Sequence, residues 1–216
     1  MYKNEQGPIS INDLSLDEQL KIVKEDFCNI NYFKNVSEKL QLAIVKQNGY
    51  AIREIENPTE VVQLEAVRQN GYAIREIVNP SKEVQLEAIK QNEYAIQYID
   101  EPSEKLQLIA VRKNGLAIKY INDPSEAVQL EAVRHDVYSI KYIDKPTEYI
   151  KSITSQIKTS ERTVYVLHEP GKEPLFSIGC QSNISKKCFI WRIYNTDGGL
   201  RENPHRQEYL DILERY

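Results

Sequence analysis

The chain has 216 residues, of which 41% are apolar and 28% are charged, and its formal net charge is −4. This composition excludes a disordered tail, and the lack of a basic excess argues against nucleic-acid binding by the surface as a whole. The mild acidity lies in 13–158, where 23 acidic residues stand against 19 basic ones, whereas 159–216 has 8 of each.

The amino-terminal residues show no apolar core behind a basic head, and no run of about 18 apolar residues occurs anywhere. The three cysteines, Cys28, Cys180 and Cys188, are too few and too scattered for a disulfide scaffold. We therefore expect a cytoplasmic protein with reduced thiols and no membrane association.

Residues 1–12 are interpreted as a lead-in, after which a block of 22 residues repeats, most clearly in 57–78 and 79–100. Prolines keep the same step, at positions 58, 80, 102, 124 and 146. Such a period is typical of one supersecondary unit stacked on itself. We predict a mainly α protein in which 13–158 forms an α-solenoid of about seven two-helix repeats, with degenerate repeats at 13–34 and 145–158.

Each repeat carries signals for the start and the end of a helix. In Asp123-Pro124-Ser125-Glu126, we assign Asp123 as the N-cap, the proline as the first helical residue and Glu126 as a residue that reaches back to the cap. A glycine such as Gly71 is predicted to end the helix in the left-handed region. A second helix of about two turns, such as Tyr72 to Ile77, completes the unit.

A helical wheel separates buried columns from exposed ones, and the apolar columns cover a wide arc. Such an arc is expected for a helix packed between repeats on both sides. One polar column falls inside it, namely Gln41, Gln63, Gln85, Gln107 and Gln129. We interpret these glutamines as a structural ladder bonded to the backbone of the next hairpin, with a recognition stripe as the alternative.

Two rows of basic residues fall outside the buried arc. The row on the longer helix runs from Lys24 through Lys46, Arg68, Lys90, Arg112 and Arg134. The row on the shorter helix consists of Arg53, Arg75, Lys119 and Lys141, with Gln97 interrupting it. Both rows are candidate binding surfaces, and a solvated face of mixed charge is the alternative because Glu65, Glu87 and Glu131 are interleaved with the first row.

The segments VQLEAVRQNGYAIREI and LQLIAVRKNGLAIKYI carry the pattern of the repeat. They resemble the helical repeats of a family from bacteria and giant viruses that is defined only as a domain of unknown function. The resemblance covers about 35–144 and implies an α-solenoid without catalytic residues or cofactors. The short paired helices are also similar to leucine-rich-variant α-solenoids, although the placement of proline and asparagine differs.

From about residue 159 the period is lost, and we assign 159–216 to a small α+β module that resembles no family known to us. Thr163 to Leu167 and Leu175 to Ile178 are predicted strands of a hairpin across a turn-rich loop. Residues 187–194 fit either a helix capped by Ser185 or a third strand, since β-forming residues are frequent there. A closing amphipathic helix is predicted over Pro204 to Tyr216.

The module also holds the few residues with site chemistry. Cys180 and Cys188 lack the spacing of a metal knuckle, so we interpret them as structural thiols. A metal site or a cysteine nucleophile with His168 or His205 is the alternative. His205 and Arg206 lie at the start of this predicted closing helix and are candidates for an anion site, with an N-capped turn as the alternative. No metal or cofactor is predicted.

These observations predict a non-catalytic scaffold that binds another macromolecule, with protein as the preferred partner, through one face of the solenoid. The resemblance narrows this hypothesis to a phage or mobile-element protein that inhibits a host enzyme by occupying it. Two alternatives stay open: nucleic-acid binding along the basic rows, and a small catalytic or ligand-binding function of the C-terminal module.

Overall fold

The computed structural model describes residues 3–4, 7–8, 13–25, 29, 33, 36–159, 162–178, 181–195 and 206–216. The chain divides into two compact units, Met1–Glu101 and Pro102–Tyr216. It is mainly helical, with a small antiparallel sheet of four strands towards the carboxyl end. Within the described ranges, no helix is long and apolar enough to cross a membrane.

The first unit begins with two short paired strands, β1 (Lys3–Asn4) and β2 (Gly7–Pro8), and helix α1 (Leu16–Glu25). Three longer helices follow, α2 (Glu38–Gln47), α3 (Glu60–Gln69) and α4 (Lys82–Gln91). Each is succeeded by a 3-10 helix, over Gly49–Glu54, Gly71–Glu76 and Glu93–Tyr98. Each repeat is thus a helical hairpin, and its second helix is of the tighter 3-10 type.

The second unit holds two further hairpins and the module. Its hairpins pair α5 (Glu104–Lys113) with the 3-10 helix Gly115–Tyr120, and α6 (Glu126–His135) with the 3-10 helix Val137–Tyr142. The remaining elements are α7 (Glu148–Ile153), β3 (Thr154–Lys158), β4 (Thr163–Leu167), β5 (Leu175–Ile178), β6 (Gln181–Ser185), α8 (Lys186–Asn195) and α9 (Arg206–Arg215).

The predicted N-cap at Asp123 is wrong, because the cap lies two residues later at Ser125. The Ser125 Oγ accepts a hydrogen bond from the Val128 N–H at 3.4 Å and donates one to the Glu104 carboxylate of the preceding repeat at 2.5 Å. Asp123 instead adopts a left-handed conformation with φ 43°. The Ser125 hydroxyl thus satisfies the free N–H of the first turn, and the helix begins at Glu126 instead of Pro124.

The predicted left-handed glycine is also wrong, since Gly71 has no positive φ. Asn70 is extended, and its side-chain oxygen accepts from the Tyr72 N–H at 3.0 Å, which starts the 3-10 helix. Glycine is required here for close approach, because a Cβ at this position would lie 2.6 Å from the Ala88 carbonyl oxygen of the next helix. The Gly71 N–H donates to Gln91 Oε1 of that helix at 2.7 Å.

The core of each repeat comes from both of its helices. In the repeat that contains α3, the residues with at most 1% exposure are Val62, Ala66, Val67, Ala73 and Ile74. The buried alanines keep the contact surface of the helix flat, so neighbouring helices can pack closely. The exposed residues of the hairpins include both basic rows.

The module is an antiparallel meander with strand order β3-β4-β5-β6, and its sheet carries α8 and α9. The Phe176 and Phe189 rings stack with centroids 4.8 Å apart inside this core, and Tyr209 is fully buried beside them. The predicted hairpin strands appear as β4 and β5, and 187–194 is helical. The sheet starts at Thr154, so the last degenerate repeat is shorter than predicted and contributes only α7 before the chain becomes a strand.

The module contacts the last hairpin through a hydrogen bond that a following repeat would otherwise supply. Within the second unit, the Gly115 N–H donates to His135 Nδ1 of the next hairpin at 3.1 Å. At the equivalent position, the Val137 N–H donates to Asn183 Oδ1 of β6 at 3.0 Å. The Asn183 amide also donates to two carbonyl oxygens at the end of α6, both at 2.7 Å. Asn183 therefore caps two helices at once.

The module also supplies the carboxylate for an ion pair that neighbouring repeats otherwise form with each other. The Arg112 Nε lies 3.1 Å from Glu131 Oε1 of the following hairpin. The Arg134 guanidinium instead donates two hydrogen bonds to Glu169 of the module, from Nε to Oε1 at 3.0 Å and from Nη2 to Oε2 at 2.5 Å. The module thus makes the contacts that a further repeat would make, and the series of hairpins ends there.

Candidate functional site

The first basic row is exposed, but much of it is paired with carboxylates of neighbouring hairpins. In the first unit, the Glu87 carboxylate lies 3.5 Å from Arg68 Nε and 2.7 Å from Lys90 Nζ. The hydrogen bond from Lys90 lowers the pKa of Glu87. In the second unit, Arg112 and Arg134 are held by Glu131 and Glu169. The row is therefore an acid–base ladder between hairpins, which lowers its attraction for phosphates. Lys46 is exposed as predicted.

The partners of the second basic row differ between the two units. In the first unit, Arg53 pairs with Glu54 at 2.7 Å and Arg75 pairs with Glu76 at 3.1 Å. At the position of these glutamates, the second unit carries tyrosine, namely Tyr120 and Tyr142. The two lysines of this row in the second unit, Lys119 and Lys141, consequently lie over aromatic rings instead of beside carboxylates.

Two lysines and three tyrosines form this surface, which we call the tyrosine–lysine face: Lys119, Tyr120, Tyr138, Lys141 and Tyr142. The Lys119 Nζ lies 5.0 Å from the ring centroid of Tyr120. The Lys141 Nζ lies 5.4 Å from the Tyr138 centroid and 5.9 Å from that of Tyr142. In the part of the chain that the structure describes, no carboxylate forms an ion pair with either lysine. Cation–π contacts of this kind leave the ammonium able to bind an anion.

Tyr138 anchors the face. Its ring packs edge-on against Tyr142 at 5.9 Å and against Tyr165 of β4 at 5.0 Å. The Lys141 Nζ donates to the Tyr138 hydroxyl at 3.1 Å, and this hydrogen bond raises the pKa of Lys141. Burial raises the pKa of Tyr165. The Tyr138 ring is thus packed between those of Tyr142 and Tyr165, and Lys141 stays charged at neutral pH.

The 3-10 helices set the orientation of the face. In Gly115–Tyr120, the Asn114 side chain accepts from the Leu116 N–H at 3.0 Å and fixes the start of the helix. Ala117 and Ile118 are then buried, so Lys119 faces outwards. Asp136 caps the next 3-10 helix in the same manner, and Lys141 occupies the equivalent outward position.

A groove of about 360 Å³ adjoins the face, and Lys119 and Tyr142 belong to both. Its other polar lining residues include Asn122, Asp123 and Asp144, with Gln129 at its base. These side chains offer oxygen atoms that can accept hydrogen bonds. The groove and the face together form the candidate functional site.

The glutamine ladder bonds mainly to the backbone of its own repeat, which differs from the predicted acceptor in the next hairpin. Gln63, Gln85 and Gln107 donate from Nε2 to the carbonyl oxygen of the proline five residues before, at 2.8 to 3.0 Å. Gln41 donates likewise to Val36. Gln129 alone among these also bonds to the next turn, where the Thr147 N–H donates to its Oε1 at 3.0 Å.

Of the predicted candidates of the C-terminal module, the structure describes the side chains of Cys188 and His168. Cys188 is a half-buried free thiol, and His168 lies against the Tyr216 ring at 5.2 Å. Cys180 and His205 lie outside the described residues, and of Arg206 only the backbone, at the start of α9, is described. Among the described residues, no cluster of three or more potential metal ligands occurs.

A second hollow, of about 620 Å³, lies in the module and is lined by Lys172, Lys186, Lys187 and Tyr216 among others. Lys172 is paired with Glu169 at 3.1 Å. The remaining lysines are on the protein surface, where long side chains are solvated. The predicted ligand-binding alternative could use this hollow.

The tyrosines of the face were not predicted as site residues. The signal in the sequence is the change from Glu54 and Glu76 to Tyr120 and Tyr142 at one position of the repeat. Asn183 and Glu169 gave no such signal, because they lie outside the period and meet the repeats only in the folded chain.

Comparison with known proteins adds one match. Residues 81–125 match the model of the family described as "Domain of unknown function (DUF4116)". The matched segment covers α4, α5 and the 3-10 helix after each of them. No curated protein and no solved structure matches the chain significantly.

Proposed function

We propose that the protein is a non-catalytic interaction scaffold, an α-solenoid of 22-residue repeats that binds a protein partner through the tyrosine–lysine face. The observation that carries this proposal is the pairing pattern of the basic residues. Arg68, Arg112 and Arg134 are held by carboxylates, whereas Lys119 and Lys141 lie over tyrosines. Tyrosine is enriched at protein interfaces because it combines a large apolar ring with a hydrogen-bonding hydroxyl.

The orientation of the rings supports a protein partner over a nucleic acid. Bases bind to open aromatic faces, on which they stack. Here Tyr138 packs edge-on against two other tyrosines, and lysines already cover the faces of Tyr120 and Tyr142. The acid–base ladder on the longer helices supports the same choice, since its glutamates repel phosphates.

Quantitative affinity capture tests the proposal. Tagged wild-type chain is compared with Lys119→Glu/Lys141→Glu and with the matched control Lys105→Glu/Lys113→Glu, which makes the same change in charge on α5. We expect a protein that the wild type and the control enrich equally and the face variant loses. Equal capture by all three variants would exclude the face as the binding surface.

The same experiment tests a narrower proposal, that this chain is a phage or mobile-element protein that inhibits a host enzyme by occupying it. That proposal rests on the resemblance of the repeats alone. It requires that the captured protein be an enzyme whose activity falls when the purified chain is added.

Small-angle scattering tests the solenoid itself, because stacked repeats give an elongated particle whose length grows with repeat number.

A further inference from the structure

Three Asn-Gly steps occupy the same place in three repeats, where the longer helix ends and the 3-10 helix begins. They are Asn48-Gly49, Asn70-Gly71 and Asn114-Gly115. The three asparagines share one extended conformation, with φ from −155° to −149° and ψ from 107° to 113°. Asparagine before glycine is a chemically labile pair, because the missing Cβ leaves the glycine nitrogen unhindered.

The reaction of such a pair is internal to the chain. The glycine nitrogen and the asparagine Cγ are separated only by the backbone and Cβ of the asparagine, so no second element has to supply a reactive group. A bond forms between the nitrogen and Cγ, the bond from Cγ to Nδ2 breaks, and ammonia leaves with the proton that the nitrogen gives up. Water then opens the cyclic imide to aspartate or to isoaspartate.

The fold directs a hydrogen-bond donor at the side-chain carbonyl group that is attacked. Asn48 Oδ1 accepts from the Tyr50 N–H at 3.1 Å, and Asn70 Oδ1 accepts from the Tyr72 N–H at 3.0 Å. Negative charge develops on this oxygen during the attack, and a backbone N–H that already points at it stabilises that charge. Both asparagines are half-buried, so the two steps are matched in these respects.

The steps differ in what the glycine N–H contacts. The Gly71 N–H donates to Gln91 Oε1 at 2.7 Å, and the Gly115 N–H donates to His135 Nδ1 at 3.1 Å. Among the residues that the structure describes, none accepts a hydrogen bond from the Gly49 N–H. A nitrogen whose hydrogen is bonded must give up that bond before it attacks, so the bond slows the reaction.

Packing explains why the chain keeps a labile pair at this position. A Cβ at Gly49 would lie 2.4 Å from the Ala66 carbonyl oxygen of the next helix, so a larger residue does not fit. Asn48 is needed as well, because its side chain caps the 3-10 helix. Two structural requirements at adjacent positions thus create the reactive sequence.

We propose that Asn48 is a site of spontaneous deamidation in the folded protein, through a cyclic imide with the Gly49 nitrogen, whereas hydrogen bonds to the next helix protect the other two steps. Aspartate at position 48 keeps the cap, because Asp136 accepts from the Tyr138 N–H at 2.9 Å in the equivalent place. Isoaspartate adds a methylene to the backbone between α2 and its 3-10 helix, so this product distorts the hairpin.

The chain contains its own control, because residues 47–53 and 69–75 have the same sequence. Any difference between their rates in the folded protein therefore comes from the tertiary structure. Trypsin would release the same peptide from both, whereas cleavage after glutamate places the three steps in 39–54, 66–76 and 105–126. The full chain is incubated at neutral pH, and mass spectrometry of these peptides follows the conversion of amide to acid.

We expect Asn48 to deamidate about three to ten times faster than Asn70 or Asn114 in the folded chain, the factor that corresponds to one hydrogen bond. In concentrated urea at the same pH, Asn48 and Asn70 should react at equal rates. Gln91→Ala should raise the rate at Asn70 to that at Asn48, and Gln91→Glu, which keeps an acceptor oxygen, should leave Asn70 protected. Gln69→Ala, the same change one repeat earlier, should leave the rate at Asn48 unaltered.

Two outcomes would overturn the proposal. One is a rate at Asn48 in the folded wild-type chain that is no higher than the rate at Asn70, a comparison that needs no variant to fold. The other is an unchanged rate at Asn70 in Gln91→Ala, provided that its circular dichroism spectrum and melting temperature match those of the wild type. Neither result depends on the tyrosine–lysine face, so the proposed scaffold function is tested separately.

Discussion

At the scale of single residues, the repeat depends on side chains that satisfy the backbone. In the four repeats from Gln63 to Gln129, the glutamine bonds to the carbonyl oxygen of the proline that opens the repeat, whereas Gln41 bonds to that of Val36. The proline itself has no N–H to donate. A buried carbonyl without a partner is costly. The ladder is therefore explained by local hydrogen bonding, within single repeats as well as between them.

We predict that Gln85→Ala lowers the free energy of unfolding by about 1–3 kcal/mol, because the Pro80 carbonyl oxygen loses its donor. Chemical denaturation followed by circular dichroism measures the change. Gln69→Ala is the matched control, since Gln69 is exposed on the same kind of helix and its loss should cost less than about 0.5 kcal/mol. Equal effects of the two substitutions would show that the ladder bond adds no stability.

The Arg134–Glu169 pair makes stability depend on pH. The hydrogen bond from Arg134 lowers the pKa of Glu169, whose side chain is only 8% exposed. A carboxyl whose folded pKa lies below its unfolded value of about 4.3 stabilises the fold fully above that value. This contribution is lost as the pH falls through the lower folded pKa.

We therefore predict that Glu169→Gln destabilises the protein at neutral pH, and that the difference from the wild type disappears in acid. Urea unfolding at a series of pH values from 7 downwards, in steps of about one unit across the glutamate range, provides the measurement. Glu148→Gln serves as the control, because Glu148 pairs with Lys151 while its side chain is 90% exposed. A gap between wild type and Glu169→Gln that persists unchanged into acid would contradict the assignment.

At the scale of elements, a β-strand takes the place of a helix. Asn183 of β6 accepts from the Val137 N–H and donates to the carbonyl oxygens of Arg134 and His135. It does so with φ 50°, a conformation that asparagine tolerates better than most residues. A strand can replace a repeat here because the contacts needed are hydrogen bonds and one ion pair, which the side chains of Asn183 and Glu169 supply without a helix.

We predict that Asn183→Gly, which keeps the left-handed backbone but removes the side chain, accelerates hydrogen exchange at the Val137 amide. Asn183→Ala should destabilise further, by about another 1 kcal/mol, because alanine is strained at positive φ. Mass-spectrometric or NMR exchange measures both. Protection of the Val137 amide that is unaltered in the glycine variant would show that another group accepts its hydrogen.

At the scale of the whole molecule, the module ends the repeats. Val137 stands where Gly115 stands one repeat earlier, and it is fully buried. A Cβ at Gly115 would lie 2.5 Å from the carbonyl oxygen of Ala132, so the glycine is needed where a helix packs on top. The valine is instead covered by strands of the sheet, which leave room for its side chain.

We predict that a chain shortened to end at Ile153 self-associates, because the buried surface around Val137 and Ile140 becomes an exposed apolar patch. Light scattering after size-exclusion chromatography would show a mass that increases with concentration, while the full chain scatters as a constant species. A shortened chain of unchanging mass would mean that the module is not needed to cover this end.

Much of the helical architecture could be predicted from the sequence, because the repeat is built from local signals. Proline spacing, the apolar columns and the short second helix all follow from interactions within one 22-residue block. The hairpin over β4 and β5 was predictable for the same reason, since its turn chemistry is local. The N-cap assignment failed at Asp123 because the Ser125 hydroxyl accepts from the Val128 N–H, so the cap lies at Ser125 and the helix begins at Glu126.

Other features were decided only by the tertiary structure. The sequence shows a glycine at position 71, but only the approach of the Ala88 carbonyl oxygen explains it. It shows a basic row, but only the folded chain brings Glu131 to Arg112 and leaves Lys119 over an aromatic ring. Periodicity determines which residues face solvent, whereas the pairing of charges depends on distances between side chains of different repeats, and these distances exist only after the hairpins have packed.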